Sequence, residues 1–270
     1  MPDDIDKHRG DKGSDEPEDK KSMRRQWKEA IKDVEKLGGW EAFISGVWLY
    51  NYIKKSFMNL YERSDPDFFR NKYSSFDDEK IIQKLITVTA RKAAILGGIV
   101  GAAVTADEIV AIITAGGGGV GLPANVAIAF AAIAGEAVLL TRMQLKLVAN
   151  IAKLYGVPLD SDDPEDIITI IAFAIGGSMA EVASKAGLEL GGKLTKTTIK
   201  QTIKKEVLAA IQRVASKLGY KILQRTTIKY AVPVASMGIG SGWNYFSTRA
   251  IGKITKKHFI ARAKEIRGKE

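Results

Sequence analysis

Four carboxylates interrupt runs that are otherwise apolar: Asp107, Glu108, Glu136 and Glu181. A carboxylate taken out of water is costly unless it is paired or hydrogen-bonded, so such positions mark either structural ion pairs or a working polar centre. Arg91, Arg142, Lys146 and Lys185 stand near them in sequence as partners, Glu181 and Lys185 being one helical turn apart. The ion-pair reading is the simpler one, because structural networks perturb carboxylates as active sites do. The functional reading is a polar cluster at the bottom of a lipid-like pocket, with Asp107, Glu108, Glu136 and Glu181 as its ligand-binding residues.

Other chemistries find no support. The chain has no cysteine and only two histidines, His8 and His258, which excludes thiol nucleophiles, disulfides, zinc fingers, iron–sulfur clusters and His-rich metal sites. The run GLELGGKL over 187–194 nearly spells a phosphate loop. Leu194, however, stands where a magnesium-binding Ser or Thr is needed, and the preceding segment reads as helix rather than strand. GIGSGW over 238–243 departs from the dinucleotide pattern at its last position and also lacks a strand. GGSMA over 176–180 faintly echoes a nucleophile elbow at Ser178, with no histidine beyond His258 to serve it. No catalytic residue is assigned, and neither a cofactor nor a metal is expected.

Charge is the stronger signal. The formal net charge is +10 over 270 residues. From Lys193 onward there are 18 Lys or Arg against three Glu, a net of +15, which leaves −5 on the rest of the chain. At about 100° per residue, Arg249, Lys253, Lys256, Lys257, Lys264 and Arg267 share one face of a helix, and Lys193, Lys196, Lys200 and Lys204 form a second stripe. Beside an apolar face such stripes suit an anionic membrane surface, each cation contributing about 1 kcal/mol at best. An ordinary solvated face is the plainer alternative. Nucleic acid is disfavoured, since no helix-turn-helix, finger or RNA-sheet motif accompanies the charge.

The elements that would carry these residues are helices. Residues 1–22 are mixed-charge and almost devoid of apolar side chains, and read as a disordered tail without a secretory signal. From Met23 to about Tyr61, Trp27, Ile31, Val34 and Leu37, then Trp40, Phe43, Ile44, Val47 and Trp48, keep an amphipathic helical period broken at Gly38-Gly39. Residues 62–78 read as a loop, with Ser75 or Asp77 capping a helix from about 79 to 115. Pro123 opens a further helix that ends at Tyr155-Gly156. The acidic turn 160–166 starts a series of helices at 164–190, 193–218, 221–231 and 242–266. No sustained alternation argues for strands, so the expected fold class is all-α.

The two longest charge-free stretches are 109–135 and 230–248, of 27 and 19 residues. Length alone would let the first span a bilayer, which takes about 20 apolar residues. Four glycines at 116–119 and Gly121-Leu122-Pro123 interrupt it, and Pro233, Gly238, Gly240 and Gly242 interrupt the second. Each therefore reads as a Gly-broken apolar hairpin rather than a span. Gly97 with Gly101 and Gly238 with Gly242 are spaced four apart in apolar surroundings, the spacing that lets two helix backbones approach closely.

Two blocks resemble a known family. The first is TRMQLKLVANIAKLYG over 141–156, followed by the acidic turn to Pro164-Glu165. The second is Val232-Pro233-Val234, then Gly238, Gly240 and Gly242, Asn244-Tyr245-Phe246, Thr248-Arg249, Gly252 and His258-Phe259. In order and spacing they resemble the EcsC family of bacterial proteins over about residues 79–262. Ala235-Ser236-Met237 departs from the glycine usual after the Val-Pro-Val block, and Glu136 is the best match to an acidic residue of the family's apolar helix. The resemblance implies a mostly helical, Gly-rich domain without an established catalytic site.

Together these features give an expected organisation: a charged tail over 1–22, an aromatic-rich amphipathic segment over 23–78, and a helical domain over 79–270 with a basic C-terminus. The expected function is non-enzymatic. The chain would be cytoplasmic, associating peripherally with the anionic inner membrane or holding a lipid-like ligand. One alternative is an enzyme acting on a lipid or other apolar substrate, for which at least two of Glu136, Glu181 and Ser178 must converge in a cavity. The other is an interaction module whose apolar hairpins meet a membrane or helical protein partner.

Overall fold

The computed structural model describes residues 17–104, 124–160, 219–224 and 236–268, together with positions 166, 169, 170, 173, 213, 216, 217, 226 and 227. Of the interpretable residues 88% are helical and none lies in a strand, so the protein is all-α. Seven helices have described bounds: α1 (Glu18–Lys36), α2 (Gly39–Ser45), α3 (Val47–Glu62), α4 (Pro66–Lys72), α5 (Asp78–Ala103), α6 (Ala124–Leu154) and α7 (Ser236–Arg267).

Local chemistry accounts for the boundaries. α1 begins at Glu18, so residues 18–22 belong to a helix rather than to the expected tail. Glu18 and Asp19 face the positive end of the helix dipole, and Met23 and Trp27 anchor the helix in the core. Gly38 takes φ 109° and separates α1 from α2, at the break the sequence foretells. Gly46, at φ 79°, adds a second break between α2 and α3. There the chain also meets a neighbour: a side chain at Gly46 would collide with the backbone at Ser216 and Tyr220. The Trp48 indole, stacked on Phe43 with centroids 4.8 Å apart, donates to the Gly219 carbonyl at 3.3 Å across the same junction.

Within the expected loop, residues 66–72 form the short helix α4 instead. Asp65 accepts from the backbone N–H groups of Asp67 and Phe68, and Pro66 sits in the first turn, a start signal that needs few residues to act. Arg70 then grips Asp78 with two hydrogen bonds of 2.9 and 3.0 Å, tying α4 to the head of α5. Of the two caps offered for α5, Asp77 is used: its Oδ1 accepts from Lys80 N at 2.7 Å. α5 ends at Ala103, and Val104 is already extended at φ −122° and ψ 131°, so no single rod runs through 100–135. The bend expected at 116–123 lies outside the described residues.

α6 is the central helix, packed by α1, α3, α5 and α7. Nearly every residue from Ala129 to Ala152 is buried, which explains an apolar composition all round the helix. α6 ends in a Schellman turn: Gly156, at φ 68°, donates to the Lys153 carbonyl at 3.0 Å, and Val157 to Ala152 at 2.9 Å. α5 and α6 are long and apolar enough to cross a membrane by length and composition, yet 78% of the α6 window is buried inside the fold against 50% for α5. The aromatic segment shares this core. The Trp27 indole donates to the Ala132 carbonyl at 3.0 Å, and the Tyr61 hydroxyl to Val157 at 3.0 Å.

The glycines of the second expected hairpin do not break the chain, while Pro233 lies outside the described residues. α7 runs unbroken through Gly238, Gly240, Gly242 and Gly252. At Gly240 and Gly252 α5 lies against this helix, in the most extensive helix pair among the described elements. A Cβ at Gly97 would sit 2.5 Å from the Gly240 carbonyl carbon and 2.8 Å from Asn244 Nδ2, and one at Gly252 would press on Ile86 at 2.6 Å. Packing at this distance outweighs the helix-breaking tendency of glycine, which is worth only about 1 kcal/mol per residue.

Candidate functional site

Where α5, α6 and α7 meet, polar groups face one another inside an apolar core. Glu136 on α6 and Asn244 on α7 have no exposed surface. Asn244 Nδ2 donates to Glu136 Oε1 at 2.7 Å and to the Ala93 carbonyl of α5 at 3.1 Å, so one amide ties three helices. Two turns along α6, Gln144 Nε2 donates to Thr248 Oγ1 at 3.2 Å, both side chains again buried. The close approach at Gly97 makes the first bond possible, since a side chain there would occupy the place of the Asn244 amide.

Glu136, expected among the ligand-binding residues, lies at this junction. It sits in a packed junction with Asn244 as partner and does not line the cleft described below. Nor is Arg142 its counter-ion. Arg142 reaches Asp33 of α1 at 2.7 Å and the Tyr52 hydroxyl of α3 at 3.2 Å, joining α6 to two other helices. Burial pushes the Asp33 carboxyl up, but the hydrogen bonds and charges of Arg142 and Lys36 outweigh it and hold the group below its ordinary value. Arg91 and Lys146 are exposed. Asp107, Glu108, Glu181, Ser178 and Lys185 lie outside the described residues, as do Lys193, Lys196, Lys200 and Lys204.

The close-packing glycines separate in the same way. Gly97 meets Gly240, while a Cβ at Gly242 would find nothing within 4 Å. Gly101 is buried on α5, and Gly238 lies in the first turn of α7.

The basic face of α7 divides into two sets. Lys256 turns to form an ion pair with Glu79 of α5, and half-buried Arg249 lies 6.0 Å over the Tyr245 ring with its Nε shielded. Lys253, Lys257, Lys264 and Arg267 remain exposed. Alongside them, Trp243 is 53% exposed, Phe246 70% and Ile254 39%. At about 100° per residue these seven side chains fall within an arc of about 140°, with Trp243 and Phe246 in the N-terminal half and Ile254 among the cations of the C-terminal half. The charge count alone misses these apolar groups, although Trp243 and Phe246 stand three apart and Phe246 precedes Lys253 by seven, the spacing of one helical face.

Sequence reasoning also missed a compact cationic stripe on α1. Lys21, Arg24, Arg25, Lys28 and Lys32 line one shallow surface with Glu29. Assigning residues up to 22 to a tail cut this stripe at its first residue. At the far end of α7, Arg262 pairs with the buried Asp166 at 2.5 Å, and the same carboxylate accepts from Asp160 N at 2.8 Å. His258 packs edge-on against Phe173 and Phe259 there, and its buried Nε2 has no hydrogen-bond partner among the described residues. Burial and the neighbouring Arg262 charge press its pKa below the ordinary value, against the opposing pull of Glu265 and Asp166. Among the described residues no group of His, Asp and Glu is arranged to hold a metal. Comparison of the chain with protein-family models, with curated proteins and with solved structures finds no match.

Proposed function

We propose that the protein is a non-enzymatic peripheral membrane protein that lays the outer face of α7 on an anionic lipid surface, on the cytoplasmic side of the inner membrane. The carrying observation is the exposure of Trp243 and Phe246 in line with Lys253, Lys257, Lys264 and Arg267. Trp favours the membrane–water interface, and lysines near an anionic leaflet contribute about 1 kcal/mol each within a Debye length. Four such cations with two embedded aromatic rings fit reversible attachment rather than a span. Burial of α6 inside the fold supports the same reading. The EcsC resemblance agrees with a helical domain of this kind, and we include membership of that family in the proposal.

Flotation with vesicles of phosphatidylglycerol and phosphatidylcholine tests this reading. The full chain is expected to float with the anionic vesicles, to detach as salt rises, and to lose most binding in W243A/F246A. Equal flotation with pure phosphatidylcholine, insensitive to salt, overturns it, and so does undiminished binding by a folded W243A/F246A variant.

A further inference from the structure

On another side of the molecule, the start of α1, the short helix α4, the middle of α5 and the second half of α6 enclose a cleft of about 340 Å³. This is the small end of the range for small-molecule sites, roughly 300–1,000 Å³. Its walls are of two kinds. Lys72, Lys92 and Lys146 come to it from α4, α5 and α6, and none of the three forms an ion pair among the described residues. Asp19, in the first turn of α1, is the one acidic group on the walls among the described residues. Phe69, Met143 and Leu147 supply apolar surface to the same cleft.

Asn150 of α6 completes the lining. Its side chain is more than nine-tenths buried, and the amide oxygen has no hydrogen-bond partner among the described residues. Three lysines without an ion pair among the described residues, Lys72 also lying 5.7 Å from the Phe68 ring centroid, stand with an apolar floor and describe a receptor for a molecule that is anionic at one end and oily at the other.

We propose that this cleft binds a small single-chain amphiphilic anion, its phosphoryl or carboxylate head held by Lys72, Lys92 and Lys146 and its short tail laid on Phe69, Met143 and Leu147. Anionic oxygens accept charge-assisted hydrogen bonds from lysine, and the tail gains by leaving water. The volume suits one short chain rather than a whole two-chain lipid. The inference is independent of membrane attachment by α7, which uses other elements.

Titration calorimetry of the full chain with hexyl phosphate, hexanol and inorganic phosphate tests it. Hexyl phosphate is expected to bind saturably, with hexanol and inorganic phosphate each at least about tenfold weaker. K92A and K146A should each weaken binding about fivefold, the loss expected of one exposed charge contact. Met143→Trp, which fills the cleft, should abolish binding while helix content and Tm are kept. Inorganic phosphate binding as tightly as hexyl phosphate overturns the proposal, as does an unchanged Kd in K92A and K146A. A two-chain phosphatidic acid of equal chain length binding as tightly overturns the single-chain assignment. W243A/F246A should leave the hexyl phosphate Kd unchanged, and K92A should leave vesicle flotation unchanged, so each reading fails separately.

Discussion

At the scale of single residues, the Asn244 amide is the most informative group in the core. It satisfies two acceptors on two helices, a fully buried carboxyl oxygen of Glu136 and the backbone carbonyl of Ala93. Removing a partner from a buried polar group costs more than the bond itself contributes, because the group left behind stays desolvated. Asn244→Ala is therefore expected to destabilise the protein by about 2–3 kcal/mol, whereas Glu136→Gln, which keeps an acceptor oxygen, should cost less than about 1 kcal/mol. Urea unfolding followed by circular dichroism measures both, and equal losses in the two variants would contradict this account. A buried carboxylate at 136 was legible in the sequence as an acidic residue within an apolar run. Its partner was not, since Asn244 lies 108 positions away and nothing in one sequence ties an amide to a distant carboxyl. The nearby cation Arg142 was the natural local partner, yet the helix turns it toward Asp33 and Tyr52 instead.

At the scale of elements, the helices follow from periodicity and caps, α4 resting on the local start signal at Asp65-Pro66, and the course of α7 shows what tertiary contact adds. The breaks at Gly38 and Gly156, the cap at Asp77 and the extent of α6 are local matters, written in the residues that make them. The glycines of α7 are different. Read alone, Gly238, Gly240 and Gly242 in five residues signal a bend; in the fold they lie in a continuous helix, and Gly240 is where α5 comes against it at Gly97. Spacing four apart selects Gly242, but the contact is made by Gly240, since which face of α7 meets Gly97 depends on the packing of both helices. The two positions should therefore respond in opposite directions. Gly97→Ala drives a methyl into the Gly240 backbone and is expected to cost about 3 kcal/mol. Gly242→Ala meets nothing within 4 Å and removes chain entropy from the unfolded state, so it should stabilise by about 0.5–1 kcal/mol. Thermal unfolding of the pair decides the matter; a destabilised Gly242→Ala would mean that another surface covers that side of α7.

At the scale of the whole molecule, charged side chains tie helices far apart in sequence and make stability depend on pH. Composition revealed that the chain is basic, but the fold decides which charges are spent on internal ties, such as Arg142, Lys256 and Arg262, and which stay outside. Two titrating groups among the described residues contribute on the acid side. His258 has its pKa depressed in the folded state, so the unfolded chain takes up that proton first as pH falls. Its contribution to stability is present above the unfolded value, about 6.5, and is lost as pH drops from there through the lower folded value. Asp33, also depressed, contributes above its unfolded value of about 3.9 and loses that contribution only as pH falls through its still lower folded value. Acid unfolding should accordingly begin with a shallow decline in Tm just below pH 6.5 and steepen below about pH 4. His258→Phe keeps an aromatic ring against Phe173 and Phe259 while removing the proton site, and it should flatten the first decline without altering the second. Asp33→Asn should do the reverse. If His258→Phe leaves the profile between about pH 5 and 7 unchanged, the imidazole does not sense burial and the Arg262 charge, and the packing of the end of α7 against Phe173 is looser than its ring contacts require.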